Sequence, residues 1–128
     1  ALVHGMSRHI GAFYHVPHGL SNAMLLPTVT NFSIPYEKSR YAKCAKAMGV
    51  AHNNDDTDVA NKKLISALYQ LNKDLEVPSL QKFGVNKDFY MKNLDAMSAQ
   101  AIASGSPGNN PIVPSHNQLV SLYKEIWG

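Results

Sequence analysis

Four of the six histidines, His4, His9, His15 and His18, fall within the first eighteen residues. Neutral imidazole is a common ligand for iron and zinc, so this cluster is a candidate metal site. Taken singly, each histidine is read more simply as a core or surface residue satisfied by hydrogen bonds. Spacing sharpens the choice. His4 and His18 stand fourteen positions apart, about 21 Å of rise on one straight helix. No single ion spans that, because metal–nitrogen bonds are about 2 Å long. Sharing an ion requires the chain to fold back between them. Gly11 and Pro17 offer the places, with Pro17 pulling His15 and Val16 out of helix and starting a new one near His18. Arg8 lies four residues after His4 and so on the same helical face. A guanidinium there suits an anionic substrate or a phosphate, or else a structural ion pair.

The elements that must position these residues read as helices. Ala60, Leu64, Ala67, Leu68, Leu71 and Leu75 recur at three- and four-residue steps, the stripe of an amphipathic helix. Asp55-Asp56-Thr57-Asp58 precedes it with an N-cap and negative charge at the positive helix end, and Pro78 ends the helical run. Tyr90, Leu94, Met97 and Ala101 repeat the pattern, with Asn86 as cap and Gly105 as terminator. Leu119, Leu122, Tyr123 and Ile126 make a last helix behind Ser115. Tyr41, Cys44, Ala45 and Met48 form another, closed by Gly49. No alternating β-branched run sits between turn residues. Six helical segments joined by short turns therefore predict an all-α domain.

Composition narrows the function classes. A chain of 128 residues with 45% hydrophobic content fits one domain with a genuine core. Twelve Lys+Arg against nine Asp+Glu give +3, spread along the chain. No basic stripe with interleaved aromatics appears, so nucleic acid is not an expected partner. The single cysteine, Cys44, excludes an internal disulfide framework and suits a reducing compartment, hence a cytoplasmic location. The stretch from His9 to Tyr36 holds no Asp, Glu, Lys or Arg and is long enough to cross a bilayer. Its content argues otherwise. His15, His18, Asn22 and Asn31 would lack partners in lipid, and Pro17, Pro27 and Pro35 should interrupt any single helix. The stretch is expected at the centre of a soluble protein, away from any membrane.

The segment from His4 to Gly19, reading His-Gly-Met-Ser-Arg-His-Ile-Gly-Ala-Phe-Tyr-His-Val-Pro-His-Gly, resembles the second signature of iron-containing (group III) alcohol dehydrogenases. Leu20 to Pro27, Tyr41-Ala42-Lys43, Met48-Gly49-Val50, Leu71 to Pro78, Phe83-Gly84-Val85, Asn109-Asn110-Pro111 and Leu122-Tyr123 continue the resemblance in order, over essentially the whole chain. The family includes lactaldehyde reductases, propanediol dehydrogenases and butanol dehydrogenases. The resemblance implies the C-terminal helical domain of the dehydroquinate synthase-like fold, which in the family comes after an α/β nucleotide-binding domain. It also implies a divalent metal, Fe2+ or Zn2+, held by one Asp and three His, of which His4 and His18 match the last two.

No Asp-x-x-x-His helix and no Gly-Gly-Gly-Ser phosphate loop stands in this sequence. Residues 1–128 are therefore expected to be a partial C-terminal all-α metal-binding domain, cut a few residues before His4, with the N-terminal nucleotide-binding domain absent. In the intact enzyme, expected to be a homo-oligomer, the reaction implied is reversible hydride transfer between NAD or NADP and a small alcohol or aldehyde. The piece alone would be inactive. Many family members carry a further histidine, often proposed to act in proton transfer or nicotinamide contact, where Arg8 stands here, so the resemblance makes Arg8 the candidate catalytic residue; His9 beside it points about 100° away. Phe13 and Ser106 are the expected substrate-pocket residues. Two other classes stay open: a free-standing helical metal-binding module, and a helical protein-interaction module without catalysis.

Overall fold

Helix forms along almost all of the chain because caps and stripes coincide. The computed structural model describes all 128 residues. It consists of α1 (Leu2–Tyr14), α2 (His18–Ser33), α3 (Lys38–Ala47), α4 (Thr57–Asp74), α5 (Leu80–Phe83), α6 (Lys87–Lys92), α7 (Leu94–Ala103) and α8 (His116–Glu125), with 3-10 turns at Ile34–Tyr36 and Ser106–Asn109. There is no strand. No helix is long and apolar enough to cross a membrane. Asp56 caps α4 by accepting from the Val59 N–H at 2.8 Å, and Asn86 caps α6 from the Phe89 N–H at 2.9 Å. Ser115 and Gln118 close a reciprocal capping box on α8.

Three details depart from the expected pattern. The first is the number of helices, eight rather than six. Leu80–Phe83 adds a short helix, and the segment expected to run from Asn86 to Gly105 breaks at Asn93. There the Asn93 N–H is shared between the Phe89 and Tyr90 carbonyls at 3.2 and 3.1 Å, and Asn93 Nδ2 also donates to the Phe89 carbonyl at 2.7 Å.

The second is Pro27, which does not interrupt α2. A proline in a helix interior leaves the carbonyl four residues earlier without its donor. That carbonyl belongs to Ala23, and the Asn72 side chain of α4 supplies the bond at 2.7 Å. The helix survives because a neighbour repairs it. The third is the α4 stripe, of which Ala60, Leu64 and Leu68 are buried while Leu71 and Leu75 are exposed. Helix α3, ten residues against eighteen, covers only part of α4.

Two packed clusters result. The larger joins α1, α2, α5, α6, α7 and α8 through Leu2, Met6, Ile10, Leu25, Leu80, Tyr90, Met97, Leu119 and Tyr123, all fully buried. Inside it the Tyr90 hydroxyl donates to the Tyr123 carbonyl at 2.6 Å, and the Tyr123 hydroxyl donates to the Met6 carbonyl at 2.9 Å. Burial pushes both phenols up from their ordinary pKa, so they stay protonated donors. The smaller cluster packs α3 on α4 through Ala42, Ala45, Ala51, Ala60, Leu64 and Leu68.

Candidate functional site

Helix α1 ends at Tyr14 because His15 adopts the left-handed conformation, with φ 56°. The chain then folds back over its own helix. A side chain at Gly11 would stand 3.3 Å from the Val16 carbonyl oxygen, so a hydrogen there lets the return segment lie close. Pro17 precedes the first turn of α2, and His18 opens it. The fold-back sets the His4 and His18 rings edge to face, with centroids 5.3 Å apart and planes at 85°.

That spacing is the one a shared ion needs. A metal about 2.05 Å from each ring nitrogen lies roughly 3.2 Å from each ring centre, so two imidazoles at a tetrahedral angle have centres about 5.2 Å apart. Both histidines are exposed. No third His, Cys, Asp or Glu of this chain joins them in a metal-holding group. The pair fits half of a four-ligand site.

Two buried serines lie one turn after the pair, each bonded to the backbone of one histidine. The Ser7 hydroxyl donates to the His4 carbonyl at 3.2 Å, and the Ser21 hydroxyl donates to the His18 carbonyl at 3.0 Å. Ser21 also approaches the Ser7 carbonyl at 3.5 Å, a long contact that marks where α1 and α2 cross. Small side chains let the helices meet there, while Tyr123 holds α1 from behind through Met6. These positioning residues are not evident from sequence motifs. Ser7 and Ser21 repeat the fourteen-residue offset of His4 and His18, and that repeat is the one signal that could have found them.

The other expected site residues separate. Ser106 packs on α1: a Cβ on Gly5 would stand 3.0 Å from Pro107 Cδ and 3.2 Å from Ser106 Cβ. The late loop is anchored by Asn110, whose Nδ2 donates to Ser33 Oγ and to the Ile112 carbonyl, each at 2.9 Å. Phe13 does not join the histidine pair. Nine residues beyond His4, it points from the opposite side of α1. It lines a cleft of about 220 Å³ with Tyr14, Phe83, Val85 and Phe89. Burial raises the Tyr14 phenol to about 12, against a smaller opposing effect of Asn93, and its hydroxyl lies buried without a well-formed hydrogen bond.

Arg8 is exposed on the same face as His4, and no ion pair or hydrogen bond engages it. His9, half-buried, turns toward Gln100 of α7, yet its Nε2 is buried with no bond of acceptable geometry. Burial first, and then the Arg8 charge, hold its pKa below 6.5. His15 is exposed at the cap, and His116 pairs with Asp95 at 3.1 Å, so neither joins the pair. Cys44 is exposed and free on α3.

Known proteins share the sequence and fold of this chain. Lactaldehyde reductase of Escherichia coli K12 is 33% identical over 127 residues, covering 98% of this chain and 32% of that protein. The NADPH-dependent butanol dehydrogenase of Clostridium saccharobutylicum is 30% identical, with the same coverage. A crystal structure of 1,3-propanediol oxidoreductase superposes with a TM-score of 0.89 at 27% identity, over 98% of this chain and 32% of that one. The chain thus spans about a third of the length of these relatives. The model of the Fe-containing alcohol dehydrogenase family, C-terminal part, matches residues 1–127, and the chain belongs to that family.

Proposed function

We propose that this chain supplies the helical metal-binding part of an NAD(P)-dependent alcohol dehydrogenase acting on a small alcohol or aldehyde. His4 and His18 hold Fe2+ or Zn2+, and the remaining ligands and the nucleotide site come from outside these 128 residues, the nucleotide site from an N-terminal nucleotide-binding domain. The observation that carries this reading is the 5.3 Å His4–His18 ring pair, built inside the motif that resembles the family's signature. When bound, the metal supplies Lewis-acid polarisation of the substrate oxygen.

The chain's own residues then have separable tasks. Ser7 and Ser21, each bonded within its own helix, pack where α1 and α2 cross and so support the two turns that carry His4 and His18. The Ser106–Asn109 turn presses on Gly5, and Ser106 is the residue of that turn assigned to the substrate pocket. Exposure of both rings leaves them open to further ligands from elsewhere in a longer chain. With two imidazoles alone, most of the coordination sphere falls to water, so the isolated chain binds metal weakly and has no activity.

The test is His4→Ala and His18→Ala in the full-length protein that carries this chain. Each should abolish metal retention, read by elemental analysis, together with NAD(P)-linked alcohol oxidation. Unchanged metal content and rate would make the ligand assignment wrong. Tight stoichiometric Zn2+ binding by the 128-residue chain alone, read by titration calorimetry, would favour a free-standing metal module instead.

A further inference from the structure

Arg8 is the only formally charged side chain among the first thirty-six residues. Helix α1 packs against α2, α7, α8 and the Ser106–Asn109 turn, and Tyr14 at its end meets Phe89 and Tyr90 of α6. Helix α2 and the loop from Ser104 to Ser115 carry no Asp or Glu. The one acid of α7, Asp95, is engaged by His116 at 3.1 Å. No Asp or Glu of this chain lies within 4 Å of the guanidinium. Its placement is specific. The exposed residues of α1 include His4 and Arg8, neighbours on a single ridge on which Arg8 comes one helical turn after His4.

We propose that the site at His4 and His18 takes an anionic substrate, a short hydroxy- or oxo-carboxylate whose carboxylate pairs with Arg8 while its hydroxyl or carbonyl oxygen lies at the histidine pair. The inference rests on the metal-dehydrogenase reading above and names its substrate class. One turn of helix separates the two anchors by roughly 6 Å of rise, and a two- or three-carbon spacer matches that within the reach of an arginine. The guanidinium fork is shaped for a carboxylate, which accepts two parallel N–H bonds. A nicotinamide dinucleotide is the other source of anionic oxygen. Its ring must lie against the reacting carbon, which leaves its phosphates a ribose further from the histidines.

The experiment compares 3-hydroxypropanoate with 1-propanol in the metal-loaded full-length protein, for wild type, Arg8→Gln and Arg8→Lys, with NAD+ and with NADP+. We expect kcat/KM to favour the hydroxycarboxylate, and Arg8→Gln to lower that preference by about 10- to 100-fold, the worth of one charge-assisted pair. Arg8→Lys should keep part of it. A second readout needs no turnover: in the metal-loaded full-length protein, 3-hydroxypropanoate should bind more weakly to Arg8→Gln than to wild type, while 1-propanol binding stays equal. A preference identical in wild type and Arg8→Gln overturns the inference. So does a change confined to the NADP+/NAD+ ratio, which would assign the charge to the cofactor. Absence of metal retention and of turnover with every alcohol would remove the dehydrogenase reading itself, whereas turnover without carboxylate preference would remove only the present one.

Discussion

The larger cluster packs Leu, Met, Ile and Tyr side chains to near-zero exposure, whereas the α3–α4 cluster is built from four alanines and two leucines. Charge divides the same way. The first thirty-six residues hold Arg8 alone, while most of the other charges lie between Glu37 and Glu76. One of them, Asp55, accepts from Lys63 Nζ at 2.6 Å and from the His52 N–H, and these hold its carboxyl below the usual range. The difference teaches where rigidity is concentrated. Two surface histidines can be preorganised only if the helices beneath them cannot shift, and large interlocked side chains with buried hydroxyl bonds provide that. The α3–α4 pair stands apart from the histidines and carries a lighter core.

Large-to-small substitution should expose this contrast most strongly. Leu25→Ala, in the larger cluster, should cost about 3–5 kcal/mol, and Leu64→Ala, among alanines that can close in, about 2–3 kcal/mol. Urea unfolding of both variants checks it. Equal losses would mean that the two clusters are one core in energetic terms.

The clusters are stitched by Asn72, so Asn72→Ala should cost about 1–2 kcal/mol, because Pro27 leaves the Ala23 carbonyl no donor. A negligible loss would mean that water repairs the helix equally well. Glycine exchanges give smaller effects of opposite sign. Gly5→Ala must push against Pro107 at 3.0 Å and should cost about 1 kcal/mol despite better helix propensity, while Gly19→Ala, with open space, should gain up to about 0.5 kcal/mol. Two gains by thermal denaturation would show the Ser106–Asn109 turn to be loosely held.

The smallest expected effect is a pH dependence from His9. Its pKa is lowered on folding, so the unfolded chain takes the proton first as pH falls. Stability from this group is fully present above pH 6.5 and is lost as pH drops from there through the native value. Thermal melts between pH 8 and 5 should therefore fall less steeply in His9→Asn than in wild type.

The cap residues Asn86 and Ser115 and the last helix are legible in sequence because capping and amphipathic spacing act within a few residues. The break at Asn93 is not, since it lies in one residue whose N–H is shared between two carbonyls while its side chain bonds one of them as well. The site is half legible. The motif around His4 and His18 names the pair, but Phe13 on the far side of α1 shows that nearness along a motif is not nearness in space.

Sequence by itself determined the all-α class, the family and the need for the chain to fold back between two histidines, because local spacing and excluded geometry are enough for those. Tertiary structure alone decided that α2 would pass through Pro27, that Ser7 and Ser21 would meet where α1 and α2 cross, and that no Asp or Glu of this chain would reach Arg8. Each depends on a group brought near, or kept away, by residues distant in the chain. Hydrogen bonds and charges are satisfied in three dimensions, and one-dimensional spacing does not record which partner arrives.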